Sequence, residues 1–199
     1  KQKLDILSEN KVQRISLNPQ TFNEDIINSV GRSFDYDNFI TIYEYAKDLK
    51  FIINMDFIVG LVGENSCSFI RNFEILEKLK PQNITFHALA SKRGSKYREE
   101  NKKGSVKDAL KINEAIKKFT EENGYKAYYL YRQKNILSNL ENVGYQKDDT
   151  SQRYNIVINE ESENVIGLGM NANTKLMNGK KYRNARNLRD YTENIENII

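Results

Sequence analysis

The chain has 199 residues, of which 39% are hydrophobic and 29% charged, and this composition predicts a globular protein with a sizeable core. Its net charge of +4 is mild, so composition does not demand a nucleic-acid partner. The single cysteine excludes an internal disulfide and any cysteine-held metal cluster built from this chain alone. No apolar run is long enough to span a membrane, so we expect no membrane partner and a cytoplasmic location.

The first quarter of the chain predicts a strand between helices. Residues 3–8 have the pattern of a helix end, and residues 12–17 predict a strand that leaves the sheet at Asn18-Pro19. Thr21 and Glu24 match a capping box, which predicts a helix that ends near Gly31. Apolar spacing predicts a further helix over residues 37–49.

A central strand is predicted over residues 51–61, followed by a glycine-containing loop and a helix that Pro81 ends. Asp56 lies within this strand, and a carboxylate on a buried strand is costly unless it has a partner. It could pair locally, by capping a loop or binding an arginine. The alternative is a ligand at the C-terminal end of a parallel strand, where α/β folds place their chemistry.

Residues 83–90 alternate as a strand, with Thr85 and His87 on one face and apolar residues on the other. Strands that alternate with helices predict a parallel sheet or barrel. The pattern changes near residue 91, so residues 1–90 and 91–199 are predicted as two regions. The second region predicts a helix over 105–123, a strand over 125–132, a loop through 142–145, a hairpin of 153–158 with 164–168, and a last helix over 188–199.

Seven segments together resemble one protein family. The motifs are RISLNPQTF (residues 14–22), GR (31–32), NMDFIVGL (54–61), FHALA (86–90), YYLYRQKN (128–135), ENVGY (141–145) and GLGM (167–170). Their order and spacing resemble the radical SAM oxygen-independent coproporphyrinogen III oxidases, and the last three resemble the clostridial and bacillar branch. The resemblance covers nearly the whole chain.

The resemblance implies an α/β fold: the C-terminal part of a partial (β/α)6 radical SAM barrel of the TIM type, followed by a smaller α+β extension. It implies S-adenosylmethionine (SAM) across the strand ends and a 4Fe-4S cluster. Carried over position by position, the SAM contacts fall on Gln20, Arg32, Asp56 and Ala90. Arg32 has the forked donor that suits the SAM carboxylate, and Asp56 and Gln20 can hydrogen-bond to ribose or carboxylate groups.

This sequence departs from the family in three places. Val62 replaces the proline of the usual Gly-Leu-Pro-Gly loop, Asn18-Pro19 replaces a common glycine, and Gly169-Met170-Asn171-Ala172 replaces Gly-x-Gly-Ala. The CxxxCxxC cluster loop is also missing. We therefore expect a fragment whose cluster ligands lie upstream and which is inactive alone, with Cys67 as a half-buried structural thiol and no metal ligands or catalytic residues in this chain.

The implied activity is oxidative decarboxylation of two propionates of coproporphyrinogen III, giving protoporphyrinogen IX in haem biosynthesis, with an electron donor as partner. The alternatives are a haem-binding chaperone of the same family and an α/β binding module without radical chemistry. His87 and the tyrosines at 125–131 are interpreted as packing residues, and the basic residues over 175–189 as a solvated face. An unpaired first strand predicts that the truncated chain forms a homo-oligomer.

Overall fold

The computed structural model describes residues 1–90, 105–132 and 136–193. The helices are Gln2–Glu9 (α1), Glu24–Ser29 (α2), Tyr36–Asp48 (α3), Ser66–Leu79 (α4), Val106–Glu122 (α5), Arg153–Glu160 (α6) and Leu188–Glu193 (α7). The strands are Arg14–Ser16 (β1), Ile52–Val59 (β2), Asn83–Ala88 (β3), Lys126–Tyr131 (β4), Asn142–Gln146 (β5), Asn173–Lys175 (β6) and Lys181–Arg183 (β7). None of the helices described is both long and apolar enough to cross a membrane.

The first five strands form one mixed sheet in the order β1-β2-β3-β5-β4. The three strands β1, β2 and β3 are parallel, and β5 joins β3 antiparallel. This arrangement confirms the predicted α/β class, because each parallel connection contains helices that pack back onto the sheet.

One face of the sheet carries the core. Alternate residues of β2, including Met55 and Phe57, are fully buried, as is Ile84 of β3. Helices α3, α4 and α5 cover this face, and Phe73 of α4 stacks on Phe119 of α5 with ring centroids 4.6 Å apart. At roughly 25 cal/mol for each Å² of apolar surface removed from water, this face supplies most of the folding free energy.

The chain divides into two compact units, Lys1–Ser151 and Gln152–Ile199. The predicted division at residue 90, between a barrel part and a family-specific region, stays a prediction. The second unit contains α6, α7 and the two-stranded sheet of β6 and β7. Within it, Lys175 and Lys181 both pair with Glu161, so these two basic side chains belong to surface ion pairs.

The predicted hairpin of 153–158 with 164–168 is wrong. Residues Arg153–Glu160 form helix α6, and Val165 makes a single bridge to Lys175 instead. The Ile156-Val157-Ile158 run suggested a strand because β-branched residues favour strands. That preference is weak, and here the segment makes its hydrogen bonds locally. One example is the side-chain Nδ2 of Asn159, which donates to the backbone carbonyl of Asn155 at 2.7 Å.

The predicted loop through 142–145 is also wrong, because these residues belong to β5, the strand next to β3. Gly144 suggested a loop, since glycine weakens strands. Glycine is required at position 144 because a larger residue would not fit: a Cβ there would lie 1.9 Å from Cε1 of Tyr129. Glycine therefore allows the Tyr129 ring to lie over the strand.

Four smaller points concern the helices. The N-cap of α2 is Asn23 and not Thr21, because the Asn23 side chain accepts from the Ile26 amide. Cys67, in the first turn of α4, is exposed and not half-buried. Ser105 caps α5, because its hydroxyl accepts from the Asp108 amide. The predicted last helix is present as Leu188–Glu193, and residues 194–199 of that prediction lie outside the described residues.

Candidate functional site

The second face of the main sheet is polar. Two rows of Cα partners cross it, and they alternate with the buried apolar positions of the core face. The lower row, here called the amide row, consists of Asn54, Asn83 and Gln146. The row above it, here called the carboxylate row, consists of Asp56, Thr85, Gly144 and Tyr129.

Asp56 makes two hydrogen bonds and one longer contact with a histidine. Its Oδ1 accepts from Nδ2 of Asn54 at 2.9 Å, and its Oδ2 lies 3.7 Å from Nε2 of His87. Its backbone amide donates to Oδ1 of Asn18 at 3.1 Å. The carboxylate thus has local partners, but they are an asparagine and a histidine, and neither the loop cap nor the arginine considered from sequence is among them.

These contacts decide the charge of Asp56. Burial by itself would raise the pKa of the carboxyl, but hydrogen bonds from His87, Asn54 and Thr85 outweigh it, and the pKa lies below its usual range. The side chain keeps 25% of its exposure. The site therefore presents a carboxylate that is ionised at neutral pH and still accessible to a ligand.

His87 connects Asp56 to β4. Its Nε2 faces Asp56, and its Nδ1 lies 3.1 Å from the hydroxyl of Tyr131. The interpretation of His87 and the tyrosines as packing residues is incomplete, because His87 adjoins the carboxylate and Tyr131 contacts His87. The alternation of residues 83–90 already placed His87 beside Thr85, but only the register of β2 with β3 brings it to Asp56.

Gln20 follows β1, and its φ of 68° lies in the left-handed region. Its amide donates to the Asp56 carbonyl at 3.0 Å, and its carbonyl accepts from the Ile58 amide at 2.8 Å. These two bonds extend the parallel pairing past β1 and fix Gln20 beside Asp56. A non-glycine residue in this conformation is strained, and such positions cluster at functional sites.

Ala90 follows β3 and forms an isolated bridge with Ile136. The loop after β2 begins at Gly60, whose φ of 92° requires glycine, and a Cβ there would lie 2.2 Å from the side chain of Leu137. Gln20 and Ala90 thus follow the C-terminal ends of β1 and β3, and Asp56 lies in the C-terminal half of β2.

Arg32 lies apart from these three residues in the structure. It follows α2, its amide donates to the Ile27 carbonyl at 3.2 Å, and its side chain is exposed. Among the residues described, the guanidinium has no hydrogen bond or ion pair.

A buried polar cluster lies behind Gln20, and sequence reasoning missed it. The Thr21 hydroxyl donates to Oε1 of Glu64 at 2.6 Å, and the Phe22 amide donates to Oδ1 of Asn72 at 2.7 Å. Burial raises the pKa of Glu64 to about 7, and the Thr21 hydrogen bond only partly opposes this. A glutamate after a glycine loop has no distinctive signal, because its burial depends on where α4 packs.

The described residues do not contain a metal centre. Within residues 1–90, 105–132 and 136–193, no group of three or more His, Cys, Asp or Glu side chains is placed to hold a metal ion. The part of the chain described here therefore does not fit a 4Fe-4S cluster, which needs several thiolate ligands.

Comparison with known proteins identifies the relatives of this chain. HemZ of Bacillus subtilis is an oxygen-independent coproporphyrinogen III oxidase-like protein. It is 36% identical to this chain over an alignment of 204 positions, which covers 98% of this chain and 41% of HemZ. The oxygen-independent coproporphyrinogen III oxidase of Pseudomonas aeruginosa is 26% identical over 96% of the chain and 42% of that protein. The haem chaperone HemW of Buchnera aphidicola is 22% identical over 88% of the chain and 44% of that protein. No family model matches.

This chain is homologous to the coproporphyrinogen III oxidase-like protein HemZ over almost all of its own length. The solved structure of coproporphyrinogen III oxidase HemN from Escherichia coli, a radical SAM enzyme, matches 98% of the chain and 46% of HemN with a TM-score of 0.71 at 19% identity. The fold is therefore that of the matched part of HemN, as the resemblance implied. The chain spans less than half the length of the relatives it matches, and these relatives include both oxidases and haem chaperones.

Proposed function

We propose that this chain forms part of the SAM and substrate site of an oxygen-independent coproporphyrinogen III oxidase. The reaction would convert two propionates of coproporphyrinogen III to vinyl groups, with loss of CO2, and give protoporphyrinogen IX. The observation that carries this proposal is the ionised, accessible Asp56 in the C-terminal half of a parallel strand, in a chain 36% identical to HemZ.

The described residues fit SAM better than they fit the cluster. The Asp56 carboxylate suits the ribose hydroxyls as an acceptor, and its charge complements the cationic sulfonium. Gln20 is fixed beside Asp56 by two backbone hydrogen bonds, and the small Ala90 leaves room for the adenosine. Bound SAM would supply the radical chemistry, while these residues bind and orient it.

Arg32 is the fourth residue in this proposal. Its exposed guanidinium would pair with the SAM carboxylate, which predicts that the segment after α2 approaches the ligand on binding. The cluster ligands, the electron donor and the cytoplasmic location remain predictions for the complete protein.

The test uses the complete reading frame that contains this chain, reconstituted without oxygen and given SAM, a reductant and coproporphyrinogen III. We expect protoporphyrin fluorescence after oxidation, and its loss in Asp56→Asn and Arg32→Ala with the cluster spectrum intact. Asp48→Asn and Arg71→Ala, which change exposed side chains on α3 and α4, are the matched controls. Equal activity in the Asp56 and Asp48 variants would contradict the assigned site.

The second candidate function is a haem chaperone, which the similarity to HemW favours. The same preparation distinguishes the two functions. Stoichiometric haem binding without turnover would support the chaperone, whereas turnover without tight haem binding would support the oxidase.

A further inference from the structure

The amide row contains three buried polar atoms without a partner among the described residues. They are Oδ1 of Asn54, Nδ2 of Asn83 and Oε1 of Gln146. Asn54 and Asn83 are Cα partners in the parallel pair, and Asn83 and Gln146 are partners in the antiparallel pair. The three unpaired atoms therefore come from directly adjacent positions on neighbouring strands, about 4.8 Å apart.

Rotation of the two asparagine amides does not remove the problem. Nδ2 of Asn54 donates to Oδ1 of Asp56 at 2.9 Å and to Oγ of Ser16 at 3.3 Å, so a flipped amide would turn its carbonyl towards the carboxylate. Oδ1 of Asn83 accepts from the Arg14 guanidinium, so a flipped amide would set donor against donor. Their neighbours therefore fix both orientations.

The unpaired atoms define the chemistry of the missing partner. Two are carbonyl oxygens that require donors, and one is an NH2 group that requires an acceptor. A cation would meet the Asn83 NH2 group, and an anion would meet two carbonyl oxygens. A group with two donors and one acceptor satisfies all three, and buried waters make about three such bonds.

We propose that one ordered water molecule binds in the amide row. It accepts from Nδ2 of Asn83 and donates to Oδ1 of Asn54 and Oε1 of Gln146. Asn54 is 4% exposed and Asn83 is fully buried, so water from the bulk solvent does not reach these two side chains freely, and their partner is a bound water.

The water has a consequence for the carboxylate row. The water donates a hydrogen bond to the side-chain Oδ1 of Asn54. This keeps Nδ2 of the same side chain directed at Oδ1 of Asp56, 2.9 Å away. The water and Asn54 thus act as positioning groups for Asp56. This second step rests on the proposed SAM site, whereas the water site itself does not.

The first test is a crystal structure of the complete protein at a resolution that shows buried waters elsewhere. We expect one density peak within hydrogen-bond distance of all three atoms. An amide row without such a peak, or filled by a side chain or an ion, would overturn the inference.

The second test measures SAM binding by calorimetry in Gln146→Met, which removes one acceptor and keeps the length of the side chain. We expect affinity to fall about fivefold, as for one lost hydrogen bond of ordinary strength. Gln13→Met, at an exposed position before β1, should bind like the parent protein. Unchanged affinity in Gln146→Met would overturn the positioning role. If the crystal structure shows the water but the parent protein does not bind SAM, the water site is supported and the proposed function is rejected.

Discussion

Glu64 is a carboxylic acid buried in the protein interior. It is 5% exposed, its Oε2 has no partner among the described residues, and its pKa is raised to about 7 from 4.5. The folded state therefore holds the Glu64 proton more tightly than the unfolded chain. The stability gained from this protonation is complete below pH 4.5 and is lost as the pH rises to about 7.

Glu64→Gln should remove this pH dependence. Because the ionised carboxylate is destabilising, we expect the variant to gain about 1–3 kcal/mol relative to the parent between pH 5 and pH 8, measured as the free energy of unfolding in urea. Glu74→Gln, at an exposed position of α4, is the control and should follow the parent at both pH values. Parallel curves for the parent and Glu64→Gln would show that Glu64 titrates normally.

Gly144 and Tyr129 are coupled by contact. A methyl group at position 144 would overlap the Tyr129 ring, so Gly144→Ala should cost about 1–3 kcal/mol of unfolding free energy. The cost should shrink when Tyr129 is first replaced by Ala, because the ring is then absent. Thermal unfolding of the four members of this double-mutant cycle measures the coupling, and equal costs in both backgrounds would exclude the clash as its cause.

The same residues show what sequence can and cannot predict. The apolar alternation around Met55 and Phe57 identified β2, and the unusual carboxylate at Asp56 marked the site. The partners of Asp56 depend on strand register, which no local pattern in this chain specifies. The sequence alone therefore predicts only a packing role for His87. Gly144 was read as a loop because its reason is a contact with Tyr129, fifteen positions earlier in the sequence.

Helix α4 is fixed at its N-terminus by a reciprocal cap. Oδ1 of Asn65 accepts from the Ser68 amide at 2.9 Å, and the Ser68 hydroxyl lies 3.2 Å from the Asn65 amide. The neighbouring Ser66 amide donates to Asp108 of α5 at 3.0 Å, so the two helices that cover the core face also share a hydrogen bond. Hydrogen bonding to Ser105, and next to Ser66, lowers the pKa of Asp108 to about 2.

Removal of the cap tests the stability of this element. Asn65→Ala should cost about 1 kcal/mol of unfolding free energy, because one helix N–H loses its acceptor. Cys67→Ala, in the same turn but exposed, should cost less than about half of that. A larger loss in Cys67→Ala than in Asn65→Ala, measured by urea denaturation, would contradict the capping assignment.

At the level of the whole molecule, the open edge of the sheet is its most consequential feature. In the described part of the chain β1 is an edge strand, paired only with β2. The carbonyl of Gln13 and the amide of Leu17 face β2, so the backbone groups of Arg14 and Ser16 face outwards. Such a row of unpaired donors and acceptors is a template for another strand.

We therefore predict that the 199-residue chain self-associates through β1, and that Ser16→Pro weakens this association. Proline removes the outward N–H of residue 16 and leaves the bonds to β2 intact, because those come from the odd-numbered positions. Ser16→Ala is the matched control, since it removes the hydroxyl bonded to Asn54 but keeps the outward N–H. Light scattering over a concentration series should give dimers or larger species for the parent and for Ser16→Ala, and monomers for Ser16→Pro. A monodisperse monomer for the parent chain would show that β1 does not act as a pairing edge in solution.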